Sequence, residues 1–372
     1  MRFTAGLLTM LLVAGCSAPS PTGGGSTGSA SPAGADPSPS PTSSAVAGLA
    51  DIGAGLQGPP GLAAKIVATG LPNVASLAVD DAGRIWAGTA AFDDAGTDAI
   101  YLIASAGMTS VQVAGGLHTV LGLAWVGDTL YVASKESITA WSGLAGSTFA
   151  SHRTIVAFAA GVGEVNEIVL GSDGRLVVGI SAPCNACVTT DPDSAAVVSF
   201  LPDGSDLRIV ASGIRAPVGL TFRPDTGELF VTMNQRDDLS DATPGDWLAI
   251  VRSGQSWGFP DCYGQVAPSC ANAPEPMAVL DTHAAASGVA IVTGELGPAV
   301  GTAALVAEWA RGVVLSVPLA STPTASGATR TATATPFLSG FEQPVPVIRD
   351  GGTGILVGDW GAGTVVRIAA AT

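Results

Sequence analysis

Basic side chains are scarce in this sequence. Lys and Arg total 15 in 372 residues, against 30 Asp and Glu, and the formal charge is −15 at pH 7. Binding to nucleic acid needs a basic surface, so this balance argues against that partner. No polybasic patch is present for anionic lipid either. The apolar run at the N-terminus, "AGLLTMLLVAG" over residues 5–15, is too short to span a bilayer. Cysteine is sparse, five in all. None stands in the Cys-x-x-Cys-His pattern of covalent haem, so an electron-passing cytochrome would be a separate protein. "CNAC" at 184–187 has no second Cys or His cluster at ligand spacing to complete a zinc site. The pair stays open to three readings: a disulfide, a redox dithiol or half of a metal site.

The first residues have a secretion signal's order: Arg2, the apolar run, then small residues. "VAGC" over 13–16 resembles a bacterial lipobox, which implies cleavage after residue 15 and a lipid on Cys16. An ordinary signal peptide cut elsewhere is the alternative. Residues 16–60 are mostly Ser, Pro, Gly, Thr and Ala. Such a segment buries too little surface to offset its ordering entropy and reads as a disordered tether. The expected location is extracytoplasmic, with membrane contact only through the lipid on Cys16. Residues 61–372 are long enough for one large domain. Four cysteines follow Cys16, an even number that in an exported protein suggests disulfides. Their spacing favours Cys184–Cys187 and Cys262–Cys270.

An internal repeat organises the rest. An apolar strand, a Gly- or Asp-bearing turn and a second apolar strand recur as "SLAVDDAGRIWAG" from Ser76, "GLAWVGDTLYVA" from Gly122 and "EIVLGSDGRLVVG" from Glu167. The pattern returns as "GLTFRPDTGELFVT" from Gly219 and "GILVGDWGAGTVVRI" over 354–368, with a looser copy between them. The turn residues tolerate positive φ, as hairpins require. A third strand follows each hairpin, and a fourth is readable in most copies. The last unit stops at its third strand. An orphan strand, "LAAKIVATG" over 62–70, resembles the fourth-strand text "DLRIVASG" over 206–213. The expectation is an all-β, six-bladed propeller whose N-terminal strand completes the last blade and closes the ring.

Residues preceding the innermost strands line one mouth of a propeller's channel. Aligned on their first strands, the copies put Pro72, His118, Gly163, Arg215 and Glu342 at equivalent phases, with His283 one residue off and Glu164 beside them. An arginine, two histidines and two carboxylates around one opening would orient a polar ligand and move protons.

Several ordered segments resemble the glucose/sorbosone dehydrogenase family. They are "SAPCNAC" from Ser181, "GIRAPVGLTFRPDTGELF" from Gly213, "NQRDDLSDATPGD" from Asn234, "WGFPDCYG" from Trp257 and "THAAASGVAI" from Thr282. The resemblance is sharpest from Cys184 to Gly264. It implies an exported six-bladed propeller that oxidises sugars with pyrroloquinoline quinone and calcium. It implies a quinone-contacting role for Arg215, where a guanidinium stabilises charge growing on the quinone oxygens. Gln235 and Glu342 join Arg215 as cofactor-binding positions. Gln235 and Arg236 fall where the family holds calcium with loop oxygens, with Asp237, Asp238 and Asp241 beside them. The pattern also departs. The family's catalytic histidine position holds Gly163 and Glu164, and the asparagine after the family's arginine is Ala216. Cofactor-binding positions of the later blades fall at Ala310 and near Phe341 and Gln343.

Two functions follow. One is a quinone-dependent dehydrogenase of a sugar-like ligand, with Arg215, Glu164, His118 and His283 as its catalytic candidates and a separate electron acceptor. The other is a tethered binding module on the same scaffold.

Overall fold

The structure, a computed structural model, describes residues 48–103, 110–264, 268–319 and 332–371. Short β-branched runs such as Leu176–Ile180 and Ala196–Phe200 are buried along their whole length. Strands of that kind need apolar layers on both faces. The chain supplies them by standing sheets face to face around an axis.

The sheets are the six expected blades. Their inner strands are Val74–Val79, Gly122–Val126, Val165–Leu170, Pro217–Phe222, Ala286–Thr293 and Pro344–Arg349. Each heads an antiparallel set of four. No α-helix occurs among the described residues. Each inner strand packs on the next, and Pro344–Arg349 packs on Val74–Val79, so the ring is complete. The core is divided accordingly. Six hydrophobic clusters each fill the gap between two neighbouring blades, as Tyr131, Ile138, Val165 and Phe200 do between the second and third.

In the last blade Leu62–Ala68 pairs antiparallel with Thr364–Ala370, with Lys65 opposite Arg367. That blade therefore draws strands from both ends of the described chain. The tether boundary at residue 60 needs correction. Ala50–Gly53 and Leu56–Gly58 form a hairpin that joins the outer edge of the fifth blade through Gln57 and Ser339. Its Ile52 and Leu56 enter the core beside Leu338 and Phe337. Two large side chains at the right spacing suffice to order a stretch whose composition is otherwise that of a linker. Cys16 and the signal segment lie outside the described residues.

Buried carboxylates stitch blade to blade. Asp98 accepts from Ala91 N at 2.8 Å and Thr119 N at 2.6 Å. Asp246 accepts from Gln235 N at 2.7 Å and Ala286 N at 2.9 Å. Each ties the third strand of its blade to the start of the next blade.

Candidate functional site

Five of the inner strands carry a bulge at the same place: between Val74 and Ser76, Val165 and Ile168, Pro217 and Leu220, Ala286 and Val289, and Pro344 and Val347. A bulge re-aims one side chain out of the pleat. Four of the residues so re-aimed, Asn166, Val218, Ser287 and Val345, line an axial cavity of about 440 Å³, joined by Leu121 from the second blade. The next residue along must be small where neighbouring strands meet. A Cβ on Gly219 would stand 2.2 Å from Ser287 O, and one on Gly288 2.5 Å from Val347 N.

The rim expected from the sequence lies three or four residues before this ring: His118 before Leu121, Gly163 before Asn166, Arg215 before Val218, His283 before Ser287, Glu342 before Val345. Three residues of strand span about 10 Å. Only Arg215 and the neighbouring Glu164 reach the cavity. His118, His283 and Glu342 do not line it. His118 pairs with Asp94 at 3.1 Å, and Asp94 also binds Lys135. His283 pairs with Asp237 at 3.2 Å. Glu342 is exposed, with its backbone N–H donating to Asp359.

Arg215 has protein partners on three of its nitrogens. Nε donates to Asn185 O at 2.9 Å, one terminal nitrogen to Asn185 Oδ1 at 2.7 Å, and the other to Asn234 O at 3.2 Å. Its own carbonyl accepts from Ala182 N at 2.6 Å. Asn185 sits inside the Cys184–Cys187 disulfide, and its Oδ1 also accepts from Asp237 N at 3.0 Å. The guanidinium therefore clamps a stapled loop that walls the cavity through Ala182, Pro183 and Cys184. Half-burial pulls its pKa down, against the nearby Asp237, Asp246 and Asp238 charges. Asn185 was quoted in "CNAC", but nothing in its spacing announced that it would hold the arginine. Both expected disulfides form, the second being Cys262–Cys270. The pair at 184–187 is thus oxidised, neither a dithiol nor a metal half-site.

Glu164 stands at the cavity mouth, and desolvation raises its carboxyl above the ordinary range. Gly163 cannot be given back a side chain. Its φ is +109°, and a Cβ there would meet Ser181 O at 2.1 Å. Acids off the cavity lining are perturbed by burial as well: Glu167 is raised to about 8 and Asp246 to about 6. Glu167 accepts from Leu220 N at 2.8 Å across two blades.

The opposite side of the cavity is aromatic. Trp309 and Phe92 line it. Trp309 packs edge-on to Trp360 with centroids 6.0 Å apart, and Trp360 Nε1 donates to Ala90 O at 2.8 Å. One connected wall thus runs through the fifth, sixth and first blades. The sequence reading missed all three rings, which come from loops or the ends of strands outside the repeat phase.

The side chains of the expected calcium loop do not converge on one ion. A hard cation needs several converging oxygens. Asp238 is taken by both ends of the Arg236 fork at 2.7 Å, and Asp237 by His283. Gln235 is buried, its Oε1 accepting from Arg236 N, and it lies off the cavity lining. Among the described residues no three His, Cys, Asp or Glu side chains gather so as to hold a metal ion. Pyrroloquinoline quinone fits no better. It is a polycarboxylate, and the cavity offers it one guanidinium already held by the protein, one carboxyl and a largely apolar surface. Ala310 and Phe341 bring no charge where the resemblance implied cofactor-binding cations.

The SMP-30/Gluconolactonase/LRE-like region matches residues 73–235. No curated protein matches the chain. Among solved structures, the pyranose dehydrogenase PQQ domain of Coprinopsis cinerea superposes with a TM-score of 0.67 at 19% identity, over 84% of this chain and 97% of its own. The PQQ-bound aldose sugar dehydrogenase of Streptomyces coelicolor gives 0.66 at 19%, over 84% and 99%. The apo aldose sugar dehydrogenase of Escherichia coli gives 0.63 at 14%, over 83% and 100%. The resemblance met in the sequence is thus shown in the architecture: this chain is a divergent six-bladed propeller with the fold of the sugar dehydrogenases.

Proposed function

We propose that this chain is an extracytoplasmic binding propeller, anchored through Cys16, which keeps the scaffold of a sugar dehydrogenase and holds a small uncharged organic ligand in its axial cavity. One observation carries the reading: the Arg215 fork, the group best placed to meet a quinone, is occupied by Asn185 and Asn234. A cavity of about 440 Å³ remains, large enough for a small molecule and poor in free charge. Calorimetric titration with pyrroloquinoline quinone in excess calcium tests this, followed by dye reduction with a panel of aldoses. The expected result is no saturable heat and no reduction. The anchor is tested separately: Cys16→Ser should move the protein from the membrane to the soluble fraction.

Glu164 favours a second reading. A carboxyl raised by desolvation at a cavity mouth is suited to take a hydroxyl proton from a sugar. Dye reduction dependent on the quinone, and lost in Glu164→Gln, would establish that reading and end the first.

A further inference from the structure

The cavity's two sides differ enough to name a ligand class. Resting on the binding reading above, we propose that the axial cavity takes an uncharged, flat and largely apolar ring compound with one hydroxyl end, its ring against Phe92 and Trp309 and its hydroxyl toward Glu164 and Asn234.

Three observations carry this. The first is Phe92 itself. It is 56% exposed and sits at φ +58°, a left-handed backbone that a bulky side chain adopts only at a cost. Burial in the core does not offset either cost, since Phe92 belongs to none of the core clusters. A large ring held out over a cavity against its own preference is explained by what lies under it.

The second is that the aromatic side is built. Trp360 is pinned to Ala90 O, two residues before Phe92, and it braces Trp309. Leu121, Val218 and Val345 floor the same space. Aromatic faces held this way favour a flat ring over an open chain.

The third is charge. Among the described residues, Arg215 is the one cation in the lining and is bound to protein oxygens. Glu164 is the one acid there, and its surroundings disfavour its ionised form. An anion meets a guanidinium with three of its five N–H groups already donated to protein oxygens, and a cation meets that half-buried positive charge. The polar side does carry an unmet bond. Asn234 lines the cavity and its Oδ1 is buried without a hydrogen-bond partner among the described residues. Once that amide turns, a ligand hydroxyl can satisfy it.

The test uses one ring with three end groups: 2-(2-naphthyl)ethanol, 2-naphthylacetate and 2-(2-naphthyl)ethylammonium. Binding is read by calorimetry and by quenching of tryptophan fluorescence. The alcohol should bind about tenfold more tightly than either charged analogue, since each of those must carry its charge out of water into a largely apolar cavity whose guanidinium is already engaged with protein oxygens. Phe92→Gly should weaken the alcohol about tenfold while the melting temperature holds or rises, because glycine relieves the left-handed backbone. Val279→Ser, on the outer edge of the fourth blade, should bind as wild type. Equal or tighter binding of a charged analogue overturns the proposal, as does a Phe92→Gly variant that binds normally, or no binding of the alcohol. If D-glucose binds and the alcohol does not, the ligand class falls and the binding reading stands. Tight binding of pyrroloquinoline quinone with calcium, with dye reduction, removes the binding reading and the ligand class with it.

Discussion

The two walls of the cavity use their residues in opposite ways. On the side of the third and fourth blades the polar groups hold one another: Arg215 to Asn185 and Asn234, Asn166 to Ser181 at 2.9 Å, Asn185 to Asp237. On the side of the fifth, sixth and first blades the rings are braced from behind and leave a face to the cavity. The family-like segments from Ser181, Gly213 and Asn234 lie in the polar wall. There the same residue types have become scaffold, so a motif kept in sequence is no guarantee that its groups are free to act.

The difference predicts where each substitution registers. Changes in the polar wall should show in stability, and changes in the aromatic wall in binding. Gly163→Ala should have the largest effect, about 3 kcal/mol or more, because it forces a Cβ onto Ser181 O and a disfavoured φ onto an L residue. Denaturant unfolding measures it, and a loss below about 1 kcal/mol would show that the loop yields. Arg215→Ala comes next. It strips partners from Asn185 and from Asn234 O, and should cost about 2–3 kcal/mol. Arg215→Lys should recover only part of this, since an ammonium cannot span both residues as the fork does. An Arg215→Ala protein of wild-type stability that loses only ligand affinity would break the comparison and return the arginine to the site.

Smaller effects sharpen it. The Glu167 carboxyl titrates near 8 when folded and near 4.5 in the unfolded chain. The folded state therefore holds the extra proton between those values. Its share of stability is complete below pH 4.5 and is lost as pH rises through about 8. Glu167→Gln should flatten that part of the stability profile, and an unchanged profile would show that the group does not titrate there. Glu164 is shifted in the same direction. Glu164→Gln should alter stability at pH 7 least, by about 0.5 kcal/mol or less, since the residue is exposed.

The propeller was legible because each blade repeats its hairpin text, with turn residues at fixed places. The orphan strand was legible because its residues match another blade's fourth strand. The cavity lining was not. Bulges at Val74–Ser76, Pro217–Leu220 and their equivalents shift which residue faces the axis. An alignment by phase alone stops three or four residues early, at His283 and Glu342 in bulged blades and at His118 in the second blade, which has no bulge. Arg215 was found because its side chain is long enough to cross that gap. Its partner Asn185 lies thirty positions away on another blade, and no local pattern links the two. Phe92 and Trp360 were hidden for a different reason. They sit in connections, where spacing carries no period.

The blade shared by the two ends of the chain has a consequence for how the molecule forms. Every other blade pairs its four principal strands within one stretch of sequence, so each can assemble soon after its residues are available. Leu62–Ala68 must wait for Thr364–Ala370, about three hundred residues further on, and loop closure over such a distance is slow to nucleate. Until it happens the apolar edge at Val365, Val366 and Ile368 is open. A chain rearranged so that residues 62–68 follow residue 371 through a short glycine-containing linker would make that pairing local. It should refold faster and aggregate less than the natural order, with the same final ring.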